Sequence, residues 1–89
     1  MPAAFHINIV VPSRIAYEGE ITSLVVPAEE GYLGVLAHHA PIIAQLKPGV
    51  ISLSDSLGKR VTFDLKSNGF LEVSENKATL ILDSLELPS

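Results

Sequence analysis

The residues that could do chemistry cluster between Glu29 and Gly49, a stretch with two of the three histidines, an acidic pair, a tyrosine, three glycines and two prolines. The adjacent pair His38-His39 raises metal binding first. Neighbours on a strand point to opposite faces, so the pair could share an ion only from a loop. The chain has no cysteine and no His-x-His or His-x-x-x-His spacing, so no recognised ligand pattern supports a metal site. His6, His38 and His39 therefore read as loop or surface histidines bonded to backbone.

Glu29-Glu30 could be imagined as a paired-carboxylate catalyst. Adjacent loop residues seldom converge, however, and nothing nearby would raise one pKa. The pair reads as a solvated acidic loop whose functional use would be steering a basic partner. The glycines at 31, 34 and 49 make no phosphate cradle, because neither a Gly-Lys-Ser/Thr opening a helix nor a βαβ unit is present. A Gly-x-Ser-x-Gly nucleophile motif is also missing. Tyr32, beside the acidic pair and between glycines, has the makings of an interface anchor. Backbone demand explains the stretch better than reactivity does. Glycine reaches positive φ and proline fixes φ near −65°, so strand, sharp loop and strand should follow one another with the loop held in one shape.

The elements that must position this stretch read as short strands. Phe5, Ile7, Ile9 and Val11 alternate with His6, Asn8 and Val10, the period of a half-buried strand. Pro12-Ser13 ends it. Ile15-Ala16-Tyr17 is a short extended piece before Gly19. In Ile21–Val26, strict alternation puts Ile21, Ser23 and Val25 on one face and Thr22, Leu24 and Val26 on the other. Tyr32–Leu36 and Ile42–Leu46 follow, with Gly34 marking a turn and Pro41 the loop between the two strands. Lys47-Pro48-Gly49 suits a type II turn, with Pro48 at its second position and Gly49 at positive φ. Ile42–Ser54 is thus expected to be a hairpin. Val61, Phe63 and Leu65 point one way and Thr62, Asp64 and Lys66 the other. Asn68-Gly69 is the signature of a type I′ hairpin turn. Phe70–Val73 returns, Ser74–Lys77 turns again, and Ala78–Asp83 is the last strand before a frayed tail. A helix over Ala78–Leu87 is the second-ranked reading. About nine short strands with a turn every 6–12 residues predict an all-β sandwich or barrel.

The totals agree. Eighty-nine residues are expected to form one domain spanning 1–89. Such a chain buries only about 60–65% of its unfolded surface. A hydrophobic content of 47% is generous for so small an interior, which suggests that a partner covers part of it. A net charge of −4 argues against nucleic acid and offers no polybasic patch for anionic lipid. No apolar run approaches the roughly 18 residues of a membrane span, and no signal peptide is recognisable.

Four motifs in order carry a resemblance. Glu30-Gly31-Tyr32-Leu33-Gly34-Val35-Leu36, His39-Ala40-Pro41, Leu46-Lys47-Pro48-Gly49 and Gly69-Phe70-Leu71-Glu72-Val73 resemble the ε subunit of F-type ATP synthases, as do Phe5-His6 and Ile9-Val10. The resemblance runs from Phe5 to about Asp83. It implies a flattened two-sheet β-sandwich of about ten short, mostly antiparallel strands. It further implies a non-catalytic place in the central rotor stalk, between the γ subunit and the membrane c-ring, coupling ring rotation driven by protons or sodium ions to ATP synthesis. Glu29, Glu30, Gly31 and Tyr32 would touch the c-ring; Val11, His39 and Ala44 would touch γ. No cofactor or metal is implied. The place would be peripheral, on the cytoplasmic face of a bacterial inner membrane. Ala37-His38 departs from the family's Pro followed by Gly, Asn or Asp, so a less rigid loop is expected there. The family's two-helix C-terminal domain has no counterpart before Ser89. A naturally short form without helix-mediated inhibition or a nucleotide site is the expectation. The competing readings are a free-standing β-sandwich module for a ligand or peptide, and a small metal-dependent enzyme using His38 and His39.

Overall fold

The computed structural model describes residues 3–85. Among them are eight strands and no helix: β1 (Phe5–Val11), β2 (Arg14–Ala28), β3 (Gly31–Leu36), β4 (Ile42–Leu46), β5 (Gly49–Asp55), β6 (Arg60–Leu65), β7 (Gly69–Ser74) and β8 (Lys77–Leu82). The ladders fold into two layers. One runs from the first half of β2 through β1, β8 and β7 to β4; the other runs β3, second half of β2, β5, β6. All pairings are antiparallel except β1 with β8. The helical reading of Ala78–Leu87 fails over Ala78–Leu82, which is strand; Leu87 and the rest of the tail from Glu86 lie outside the described residues.

Alternation builds the core. β1 buries Phe5, Ile7, Ile9 and Val11 and half-exposes the residues between. Phe63 and Leu65 are buried on β6 while Thr62, Asp64 and Lys66 are exposed. Leu24, Ile51, Leu53, Leu71, Val73 and Leu80 complete a single apolar cluster. No buried residue is polar or charged among those described.

Several expectations are corrected. Gly19 does not break the chain, since it pairs with Ile7 inside a 15-residue strand. The change of layer comes at a bulge near Thr22, where the register on β5 shifts between Ile21 and Ser23. The extra residue moves Leu24 and Val26 onto the same buried side as Ile21, and Val25 outward. Strict alternation therefore misplaced this strand's faces.

The proposed hairpin Ile42–Ser54 does not form. β4 pairs with β7 and touches β2 only at Ala28–Leu46, while β5 pairs with β2 and β6. Lys47 and Pro48 form a corner at which the chain passes from one layer to the other, along the same edge of β2. Gly49 is not at positive φ. It is glycine because a Cβ there would lie 2.7 Å from Pro27 Cβ and 3.0 Å from Tyr32 Oη.

Asn68-Gly69 likewise makes no I′ hairpin. β6 and β7 lie in different layers, and neither residue has positive φ. Gly69 packs so tightly that an added Cβ would be 2.8 Å from the Ile81 carbonyl oxygen. The left-handed pair falls one connection later, at Glu75 and Asn76 (φ 51° and 60°), which close the β7–β8 hairpin. Gly34, finally, is no turn. It sits in β3 opposite Val25 with open space where a side chain would go.

Candidate functional site

Glu29 and Glu30 are the two-residue tip of the β2–β3 hairpin, flanked by the pair Ala28–Gly31. Gly31 is at φ 126°, a backbone shape that side chains resist, so glycine is required there. Tyr32 comes next, opposite Pro27, and is 62% exposed. Its hydroxyl oxygen accepts the Val50 N–H at 3.2 Å, which ties the tip to the start of β5.

Beyond Ala28, β2 no longer runs beside β4. Glu29 N–H donates to the Gln45 carbonyl at 3.0 Å and Lys47 N–H to the Pro27 carbonyl at 2.9 Å, and there the ladder stops. An open groove of about 500 Å³ remains between the hairpin arm and the edge of β4. Glu29, Glu30 and Tyr32 line one wall; Ile43, Ala44 and Gln45 line the other. Ile43 is 75% exposed. Two carboxylates and no cation belong to this lining, so the groove is both partly apolar and electronegative.

The structure thus brings five of the expected contact residues together: Glu29, Glu30, Gly31, Tyr32 and Ala44. His39 and Val11 lie elsewhere. Leu36, Ala37, His38 and His39 make a turn closed by His39 N–H on the Leu36 carbonyl, at 3.2 Å. His38 takes φ 64° at its third position, the place a type II turn gives to glycine or asparagine. Its N–H donates to Asn76 Oδ1 at 2.7 Å. His38 thus holds positive φ without being glycine or asparagine, and a neighbour's side chain bonds the turn. The His39 ring donates from Nδ1 to the Ala40 carbonyl at 2.7 Å. Of the three histidine rings expected to bond backbone, only that of His39 does so among the described residues, where no three of His, Cys, Asp or Glu come together to hold a metal ion. Val11 is almost wholly buried, at the end of β1 before the Pro12-Ser13 turn.

Sequence reasoning missed three features. Asn76 ties three segments: besides His38, its Nδ2 donates to the Ala4 carbonyl at 3.1 Å and its own carbonyl accepts the His6 N–H. Ile43 was read only as part of an apolar run. His6 sits between two carboxylates of β2, with Nδ1 2.7 Å from Glu20 and Nε2 3.1 Å from Glu18. Only the imidazolium, a donor at both nitrogens, satisfies that clamp. The bond to Glu20 raises the His6 pKa above its ordinary value, burial lowers it, and Glu18 adds to the rise. The i, i+2 spacing of Glu18 and Glu20 could have signalled the pair, but their partner strand could not be read locally.

These features define a class: a two-sheet β-sandwich with one open side and no convergent reactive groups there. Comparison with known proteins places the chain within it. The model of the ATP synthase delta/epsilon chain beta-sandwich domain matches residues 4–88. The chain is 44% identical over 82 residues to the ATP synthase epsilon chain of Dichelobacter nodosus, covering 92% of this chain and 56% of that one. It is 42% identical to the epsilon chain of Chlorobaculum tepidum, covering 92% of both. In the cryo-EM structure of the Euglena gracilis mitochondrial ATP synthase, OSCP/F1/c-ring, one chain superposes with a TM-score of 0.88 at 21% identity, over 98% of this chain and 55% of that one. At that identity the superposition speaks for the fold alone. The chain belongs to the ATP synthase delta/epsilon family through its β-sandwich domain. It spans somewhat more than half the length of several of the relatives it matches.

Proposed function

We propose that this chain is the coupling domain of a rotary ATP synthase's central stalk, joining the γ subunit to the membrane c-ring. It carries no catalysis and passes on torque generated by a proton or sodium gradient. The observation that carries the reading is the family match over nearly the whole chain, in a sandwich whose one open side displays the motif stretch. A chain in a solved complex described as central stalk and c-ring of the Tetrahymena thermophila mitochondrial enzyme shares the fold, with a TM-score of 0.73 at 15% identity. In this role residues 1–89 act as one domain on the cytoplasmic face of a bacterial inner membrane, attached through partners. Glu29, Glu30, Gly31 and Tyr32 face the c-ring. Ala44 and His39 face γ, and Val11 contributes through the β1–β2 turn, its side chain being buried.

A coupling part must be stiff and must stay attached. A packed β core transmits strain, and a stable interface needs at least about 1,200 Å² in total. Exposed Tyr32, Ile43, Phe70 and Ile81 are available to fill such an interface. The test is isolation of the chain from gently solubilised membranes. Co-purification with γ and the c-ring is expected, and deleting Glu29-Glu30 should lower ion-driven synthesis more than soluble hydrolysis. A chain that elutes alone, with coupling intact in its absence, overturns the reading in favour of a free-standing binding module.

A further inference from the structure

We propose that the open side between β3 and β4 is a strand-addition site, which takes up an extended cationic segment of a partner protein. The inference rests on the stalk reading for the identity of the partner, but its geometry is independent of it. β4 is fully paired with β7 on one edge and is bonded to β2 on the other only around Leu46. The Gln45 carbonyl points to that second edge, where it accepts Glu29 N–H. Residues two apart in a strand present their backbone groups to the same side. The N–H and C=O of Ile43 therefore face the groove, with no strand beside them among the described residues. On the far wall, β3 pairs with β2 alone among the described residues, which leave its other edge open.

A free edge is a template for another strand. Proteins commonly guard such edges with lysine or an inward charge. Here the groove offers Ile43 and Tyr32, both well exposed, with Glu29 and Glu30 at its mouth. An incoming strand would exchange backbone bonds with Ile43 and lay one apolar side chain against Ile43 and Tyr32. A lysine or arginine next to that apolar residue would meet the glutamates. The carboxylates, with no cation among the lining residues, select a basic segment over an acidic one.

The test titrates the isotope-labelled chain with the peptide acetyl-Arg-Val-Arg-Val-Arg-amide at millimolar concentration, followed by backbone amide NMR. The Ile43 and Tyr32 amides are expected to shift together. Methylating alternate peptide nitrogens removes the donors while keeping the charge, and should weaken binding about tenfold or more. Glu29→Gln with Glu30→Gln should weaken it about tenfold, and Ile43→Pro, which an open edge tolerates, should abolish it. Equal binding of the methylated peptide, shifts confined to another face, undiminished binding by Ile43→Pro, or no shift at all would each overturn strand addition. Those outcomes are separate from the stalk reading, which stands or falls on co-purification.

Discussion

The sandwich has two sides where the edges of its layers meet, and they are built differently. Where β6 faces the first half of β2, Tyr17 and Phe63 stack edge to face, with ring centroids 5.6 Å apart and planes at 70°. Phe63 is buried and Tyr17 half-buried, so the side is sealed by aromatic packing. Where β3 faces β4, no such pair exists among the described residues. The hairpin tip curls away, Ile43 and Tyr32 stand in solvent, and two carboxylates sit at the opening. Sealing one side keeps the layers in register. Leaving the other open costs little core burial, because Leu46 and Val35 still close the interior behind it. Stability and docking are thereby assigned to opposite sides of one small body.

The largest expected effect breaks the sealed side. Phe63→Ala removes a buried ring and should destabilise the fold by about 3–5 kcal/mol. Ile43→Ala on the open side should cost no more than about 0.5 kcal/mol, as exposed positions usually do. Urea unfolding of the two variants against the parent measures both. Comparable losses would mean that the open side also carries the fold.

Much of this contrast could not be read in the chain. The alternation of Phe5–Val11 and of Val61–Leu65 was legible because burial on one face imposes period two directly on the residue types. The turn stretches were legible as turns but not as hairpins. Asn68-Gly69 and Lys47-Pro48-Gly49 have hairpin chemistry, yet both connect strands that pair elsewhere. Turn residues report local φ and ψ preference; which strand lies alongside is decided by distant apolar faces. Gly69 and Gly49 answer a packing demand that has no local signature, close approach to Ile81 in one case and to Pro27 in the other. Conversely, Glu75-Asn76 holds positive φ without glycine because Asn76 is anchored by its side chain. The acidic tip and Tyr32 were visible as candidate contacts. Their companion Ile43 was not, since its exposure follows from β2 ending at Ala28, a fact about another strand.

A middle-sized effect sharpens the comparison where the open side closes. Gly49 sits at the corner below Tyr32, and its missing Cβ is what lets β5 approach Pro27. Gly49→Ala must push against the rigid Pro27 ring or displace the tyrosine, and overpacking of this kind costs about 1–3 kcal/mol. It should also weaken the bond from Val50 N–H to Tyr32, seen as faster hydrogen exchange at Val50. If exchange there is unchanged while stability falls, the strain has gone into the layer interface and the tyrosine tie is not part of the corner.

The smallest effect concerns the β1–β2 pair on the sealed layer, through His6. Its folded pKa is raised, chiefly by the bond to Glu20. A raised pKa means that the folded state holds the proton more tightly than the unfolded chain. The added stability is then fully present below the ordinary value of 6.5 and is lost as pH climbs through the raised folded value. The denaturation midpoint should fall modestly from pH 6 to pH 8, because His6 and both glutamates are well exposed and solvent screens the pair. Glu20→Gln should flatten that slope more than Glu18→Gln, since Glu20 makes the shorter contact. A midpoint that rises across this window would show that the clamp does not favour the charged ring, and that β1 is held to β2 by its ladder alone.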